Sequence, residues 1–350
     1  MREPTEGALM NTLFAVIIGV LTFYIGYNFY ARRIDREIIR SDPNRVTPAR
    51  LYADGVDFVP TSRNVLYGYH FKSIAAAGPI VGAITAANLW GWLPALIWLV
   101  VGVCFIGWVS DYSAIMLSVR NDGNSLSAVA HRLITPRTRT ILFVFIFFYL
   151  LLVAGAFGGI MAGVMNGQPQ APLGIIVLMA MGLLLGQMLY RWRVGLVQAT
   201  LLTVGITLVA VLVGPAPGVV GFFKDTINGG LNAITGNQPL VVYFDPTVPD
   251  PQTGLVKGAD VSIMPSFVFW ALFILAFCYF GSVLPIWRWA QPVVYIGFWI
   301  TAAAIVLGLL GAALAVFLRP DLASFKLAAV KTLAAGVGGA LQPIWPMLFV

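Results

Sequence analysis

Few side chains in this sequence are equipped for chemistry, and those few are scattered. Only two histidines occur, His70 and His131, and 61 residues separate them. No Ser or Cys stands with a His in a nucleophile–base pattern, no His/Cys/Asp/Glu cluster has metal-ligand spacing, and no Gly-rich phosphate loop occurs. The sequence therefore points away from an enzyme: no catalytic residue, no metal and no cofactor is expected. What remains is charge in costly places. Asp111, in Gly107-Trp108-Val109-Ser110-Asp111-Tyr112, lies inside an apolar run and short of its basic flank at Arg120. An ionisable group at such depth is a candidate functional residue; the competing reading is a packing pair with Lys72 or Arg120. A histidine side chain suits proton passage at physiological pH, so His70 is a candidate for it, or else a hydrogen-bonded structural group. Asp54 and Asp57 suit either gating or loop ordering, since Asp-Gly favours turns.

A different kind of chemistry resides in backbone. Ile74-Ala75-Ala76-Ala77-Gly78-Pro79-Ile80-Val81-Gly82 lies within an apolar run. Pro79 has no amide hydrogen and clashes with the preceding turn, and Gly78 and Gly82 hold a helix weakly. A helix broken in hydrocarbon leaves backbone groups that protein, water or a ligand must pair. A half-helix starting near Gly78 presents free N–H groups and partial positive charge, which suits a carboxylate. The carbonyls around Ile74–Ala77 would face a cation. Ala76, Ala77, Gly78, Pro79 and Gly82 are thus candidate substrate or ion contacts. Thr85 and Asn88, further along, either face a pore or hydrogen-bond between helices. A second apolar run carries Phe280-Gly281-Ser282-Val283-Leu284-Pro285, and Phe280, Gly281, Ser282 and Pro285 would form the opposite wall. Paired breaks in two halves point to a secondary-transporter site; two kinked structural helices are the plainer reading.

The elements that would position these residues are membrane helices. The chain of 350 residues is 59% hydrophobic and only 10% charged, against about 25% charged in soluble domains. Apolar runs recur near the length of about 20 residues that a span needs. The expected spans are 9–31, 70–90, 93–119, 140–165, 173–190, 194–213, 265–287 and 292–318, with 343–350 as the start of a ninth in which the chain stops. The stretch 214–264 is expected to be an extracytoplasmic loop of turns with a short hairpin, and 319–341 is too polar to span. The net charge of +7 marks topology rather than nucleic acid, because basic residues sit at the ends of apolar runs. Of 21 Lys and Arg, fifteen fall on one side, from Arg32 to Lys72, in 120–139, at Arg191 and Arg193, and at Arg288. Six fall on the other. The positive-inside rule then puts the N-terminus outside and 32–63 in the cytoplasm. Trp90, Trp92, Trp98, Trp287 and Trp289 fit interfacial belts.

Asp54-Gly55-Val56-Asp57-Phe58-Val59-Pro60-Thr61, Val65-Leu66-Tyr67-Gly68-Tyr69-His70-Phe71, Ile74–Gly82 and Ser118-Val119-Arg120-Asn121-Asp122-Gly123-Asn124-Ser125-Leu126 together resemble the carbon starvation protein A (CstA) family of inner-membrane transporters. Val283-Leu284-Pro285-Ile286-Trp287 matches more weakly. The resemblance implies an all-α membrane protein with the five-plus-five inverted repeat of amino acid–polyamine–cation transporters, preceded by one extra helix and incomplete in its second repeat. It implies uptake of peptides or small carboxylates such as pyruvate during starvation, driven by a proton or sodium gradient, with the bilayer as its setting. Tyr69 stands where the family has a histidine, Ala76 where it has a glycine and Ala83 where proline is common. After Trp287 the chain reads Arg288-Trp289-Ala290-Gln291-Pro292, where the family usually shows Ala-Pro-Arg-Asp-Tyr. A channel using the same breaks, and a membrane scaffold or sensor without flux, are the other two function classes open to the sequence. Oligomeric state is not legible in it.

Overall fold

A computed structural model describes residues 12–125, 128–130, 135–245, 258–319, 327–331, 334–337 and 340–343. Among these residues, eight helical segments are long and apolar enough to cross a membrane. In chain order they are α1 (Thr12–Ile39), the pair α3 and α4 within Arg63–Trp90, α5 (Trp92–Arg120), α6 (Pro136–Gly167), α7 (Ala171–Arg191), α8 (Leu196–Val213), α10 (Pro265–Val283) and α11 (Ala290–Leu318). The protein is thus a multi-pass, all-α membrane protein. A short α2 (Pro48–Leu51) precedes α3, and α9 (217–233) lies between α8 and α10. Of residues 343–350, where a ninth span was expected to begin, Pro343 ends a strand and 344–350 lie outside the described residues, as do His131 and residues 9–11.

The helix ends follow local chemistry. Ser62 caps α3 by accepting the Val65 N–H at 3.3 Å, and Thr135 caps α6 through the Thr138 N–H, also at 3.3 Å, with Pro136 in the first turn. Pro265 opens α10 in the same way. α1 does not stop where the apolar residues do. It continues through Arg32–Ile39 and ends at Arg40 in the left-handed region. Residues 32–39 are good helix formers, and Arg33 Nε and Glu37 Oε1 pair at 3.0 Å one turn apart.

Two cores hold the helices together. In one, Val65 of α3, Leu185 and Met188 of α7, Ala199 of α8 and Tyr295 and Ile296 of α11 form a buried cluster. Small residues let these backbones approach. A Cβ on Gly68 would stand 2.7 Å from the Tyr295 ring, and one on Gly182 would strike the Val293 side chain. In the other core, Ala162 and Met165 of α6 meet Phe223 of α9 and Trp270 and Ile274 of α10. Here Asn228 is the tie, donating to the Asn166 carbonyl at 3.1 Å and accepting the Trp270 indole N–H at 2.8 Å.

Stretch 214–264 is therefore more ordered than a loop of turns. It contains α9, docked by Phe223 and Asn228, as well as the expected hairpin. That hairpin pairs β1 (Val241–Asp245) with β2 (Ala259–Ile263) antiparallel, with Tyr243 opposite Val261. The helix was missed because its four glycines and its Lys-Asp pair read as loop composition. A second hairpin pairs β3 (Ala334–Val337) with β4 (Ala340–Pro343). Before it, residues 327–331 lie on the α4–α5 corner, where Trp92 and Leu93 donate to the Ala328 and Ala329 carbonyls at 3.3 and 3.0 Å. Trp90 and Trp289 are buried rather than placed in an interfacial belt.

Candidate functional site

The first Gly-Pro motif interrupts its segment. α3 (Arg63–Ile74) ends at Ala75 (φ −76°, ψ 51°), Ala76 is extended (φ −87°, ψ −168°), and α4 (Ala77–Trp90) begins at once. The break lies at Ala75–Ala76, just before Gly78. Pro79 therefore occupies the first turn of α4, where its missing N–H costs nothing and its fixed φ suits the helix. No side chain caps the N-terminus of α4, so the N–H groups of Ala77 and Gly78 open toward the break. Gly78 faces α6, since a Cβ there would stand 3.5 Å from Phe157 Cζ.

The carbonyl end of α3 is served from within. Lys72 Nζ donates to the Ala75 carbonyl at 3.1 Å, the placement that satisfies an orphan carbonyl and complements the negative end of the helix. Of the carbonyls at Ile74–Ala77 expected to face a cation, that of Ala75 accepts from the Lys72 ammonium group. The Lys72 stem lies along α11, where a Cβ on Gly297 would be 3.5 Å from Cε. An ammonium group and a free helix N-terminus therefore meet at one interruption.

A cavity of about 450 Å³ reaches the break from the α3 side. His70 and Ile74 of α3, Asp111 and Tyr112 of α5, and Arg32 and Asp35 of α1 line it. Its walls come from a crossing of two π-helical turns, Gly26–Ala31 in α1 and Gly102–Gly107 in α5. Such turns widen a helix and occur often at functional sites. Gly26 makes the crossing close, since a Cβ there would be 3.0 Å from Cys104 Sγ. Cys104 is buried and donates weakly to the Thr22 carbonyl at 3.7 Å.

The cavity brings together His70 and Asp111, which the sequence nominated separately. Neither has a hydrogen bond or ion pair among the described residues, and both are exposed to the cavity side. The expected packing pair of Asp111 with Lys72 or Arg120 is not formed. Lys72 is occupied at Ala75, and Arg120 donates to the carbonyls of Ile39 and Arg40. Sequence reasoning missed Asp35. Its carboxylate accepts from Tyr112 Oη at 2.8 Å and from Ser41 Oγ at 2.9 Å, tying α1 to α5. The signal was present in an acid set among the arginines of 32–40, but the run was read only as a topology marker.

The second Gly-Pro motif behaves otherwise. α10 is continuous through Phe280, Gly281 and Ser282 and ends at Leu284 (φ −75°, ψ 147°), so Pro285 lies beyond the helix. The expected mid-segment break is corrected to a helix end, and the span to 265–283 rather than 265–287. Phe280 and Ser282 are exposed, and Ser282 Oγ donates back to the Tyr279 carbonyl at 2.8 Å. The two motifs, expected to form facing walls of one site, are not brought together by the main helix contacts among the described residues. α3 packs on α11, α4 on α5 and α10 on α6.

Of the remaining candidates, Asp54 orders its own loop. Its Oδ1 accepts the N–H groups of Val56 at 2.8 Å and of Asp57 and Phe58 at 2.9 Å. Hydrogen bonds from the Phe58 and Val56 amides hold its carboxyl below its ordinary value. Asp57 lines a separate cleft on the same side as α2. Thr85 and Gly82 are exposed on α4, and Asn88 accepts Lys331 Nζ at 2.9 Å through its backbone carbonyl. Among the described residues no group of three or more His, Cys, Asp or Glu could hold a metal ion.

Residues 11–234 match the family described as carbon starvation protein CstA. The chain is 34% identical over 190 residues to the peptide transporter CstA of Escherichia coli (strain K12), covering 54% of this chain and 27% of that protein. It is 33% identical over 170 residues to the pyruvate/proton symporter BtsT of the same strain, covering 49% and 23%. It is 28% identical over 344 residues to the peptide transporter CstA of Bacillus subtilis (strain 168), covering 97% of this chain and 50% of that one. In these alignments the chain spans between about a quarter and a half of its relatives' length. No solved structure matches it.

Proposed function

The chain belongs to the carbon starvation protein CstA family, and on that premise we propose that it works as a secondary transporter importing small carboxylates or short peptides across the cell membrane. One observation carries the reading. The interruption at Ala75–Ala76 sets an uncapped helix N-terminus beside the Lys72 ammonium group. A substrate carboxylate placed there meets N–H donors, a helix dipole and a cation without any arginine. Relatives named as a peptide transporter and as a pyruvate/proton symporter support the same substrate chemistry.

His70 and Asp111 are the coupling residues of this reading, with the proton favoured over sodium. They share one cavity, they carry no hydrogen bond or ion pair among the described residues, and the cavity opens beside the carbonyl end of the broken segment. A proton carried through this cavity passes next to the substrate site, which links gradient to binding. The interruption is also the place where one segment changes packing partners, from α11 to α5, as a hinge between rocking bundles requires. The five-plus-five inverted repeat and an N-terminus outside, with 32–63 cytoplasmic, complete the proposal; the fifteen-to-six basic split supports that orientation.

Uptake of labelled pyruvate and of a labelled dipeptide into proteoliposomes, with proton and sodium gradients imposed separately, tests it. Saturable accumulation that follows the proton gradient is expected. Passive, non-saturating conductance would make the protein a channel, and no flux under any gradient would overturn transport altogether.

A further inference from the structure

A second cleft, of about 410 Å³, lies between the loop before α3 and the turn that joins α10 to α11. Arg50, Asp57 and Phe58 line it from one side, and Trp287 and Gln291 from the other, with Tyr69 of α3 between them. Its size falls in the range of small-molecule sites, about 300–1,000 Å³.

The cleft is built rather than incidental. Tyr190 Oη donates to Gln291 Oε1 at 2.9 Å and lies 3.1 Å from Thr61 Oγ1. This bridge ties the end of α7 to the loop before α3 and to the start of α11. The Tyr190 ring rests on Trp287, with centroids 5.4 Å apart. Gln291, 6% exposed, lines the cleft, and so does Trp287, whose indole N–H is buried with no hydrogen-bond partner among the described residues. A buried indole donor left open in this way is costly unless something accepts from it.

The charges point to the occupant. Arg50 and Asp57 line the same cleft, and the ion pair found among the described residues is Arg33 with Glu37, not these two. Opposite charges held in one cleft without touching leave room for a molecule that bears both. We propose that the cleft framed by Arg50, Asp57, Tyr69, Trp287 and Gln291 is a second binding site, which takes a small zwitterion such as a free amino acid or a dipeptide. The ligand carboxylate is received by the Arg50 guanidinium and the Trp287 indole N–H, and its ammonium group by Asp57. Apolar parts rest on Phe58 and Trp287. The site goes beyond the transporter reading and rests on residues apart from the Ala75–Ala76 break.

Titration of glycylglycine into the purified protein in nanodiscs, followed by calorimetry, tests the assignment. Acetate and ethylamine serve as probes that carry one charge each. Glycylglycine is expected to bind at least about tenfold tighter than either, and Arg50→Gln and Asp57→Asn are each expected to weaken it about tenfold, the scale of one charge-assisted hydrogen bond. Both side chains are exposed, so the variants retain the fold. Affinity unchanged in both variants, or an equal affinity for a one-charge probe, overturns the site. Because the readout is binding and not flux, that failure leaves the transporter reading intact, and absence of flux with binding intact leaves the cleft intact.

Discussion

Gly78-Pro79 and Gly281–Pro285 look alike in sequence and do different things in the structure. At the first, the chain leaves helix for two residues and re-enters it, so that α3 and α4 lie within one segment of 28 residues. At the second, the helix simply ends, and Pro285 sits in the turn that leads to α11. The neighbours explain the difference. α3 is held by α11 and α4 by α5, so the segment must serve two partners and bends between them. α10 keeps to one set of neighbours, α6 and the α9 that packs beside it, along its length. Glycine and proline permit a break; packing decides whether one is made.

The sharpest way to break the comparison is to fill both glycines. Gly78→Leu pushes a side chain toward Phe157, where a Cβ alone already stands at 3.5 Å, and overpacking of this kind costs about 1–3 kcal/mol. It is expected to abolish uptake. Gly281→Leu meets nothing within 4 Å and should shift stability by less than about 0.5 kcal/mol, leaving uptake near wild type. Equal losses in matched proteoliposomes would show that the second motif also touches the transport path.

A smaller effect is expected at Lys72, which has no counterpart at the end of α10. Lys72→Gln removes the ammonium group from the interruption, and the KM for a carboxylate substrate should rise about tenfold, the scale of one hydrogen bond to a charged group. Lys72→Arg should recover part of it. An unchanged KM would leave the N-terminus of α4 as the sole anion contact.

Asp111→Asn tests the cavity that opens on the first motif only. Proton-driven accumulation should fall while substrate exchange without a gradient persists, as expected if the carboxylate couples the proton rather than the substrate. Loss of both, with normal protein levels, would move Asp111 into the substrate path.

The smallest effect concerns the loop that leads into α3. The Asp54 carboxyl is held below its ordinary value by backbone amides, so its contribution is present above the unfolded-state value and lost as pH falls through the depressed folded one. Amide exchange at Val56 and Phe58 should therefore stay slow, after correction for intrinsic rates, until pH drops below the ordinary carboxylate range. Asp54→Ala should make it fast at every pH. Slow exchange in that variant would mean that Pro60 and Phe58 order the loop without the carboxylate.

Much of this was legible one residue at a time. The spans followed from apolar length, because the bilayer sets the length of a helix that crosses it. The break in the first motif followed from Pro79 and its glycines, and the role of Asp54 from Asp-Gly. α9 was not legible, because its glycines and charges carry a loop composition and its helix rests on burial of Phe223 and Asn228 against α6 and α10. Asp35, Tyr190 and Gln291 were not legible either, since each is defined by a partner 77, 129 or 101 residues away.

By itself, then, the sequence determined that this is a helical membrane protein, where the apolar parts of its spans lie, and where one of them is weak. These are local properties, set by hydropathy over a window and by the backbone limits of Gly and Pro. Only the tertiary structure decided that Lys72 takes the carbonyl end of the break, that His70 and Asp111 face one cavity, and that the second Gly-Pro motif is a helix end. Each of these depends on which helices pack together, and in hydrocarbon that choice rests on side-chain fit and on satisfying every backbone group, neither of which is written in any single segment.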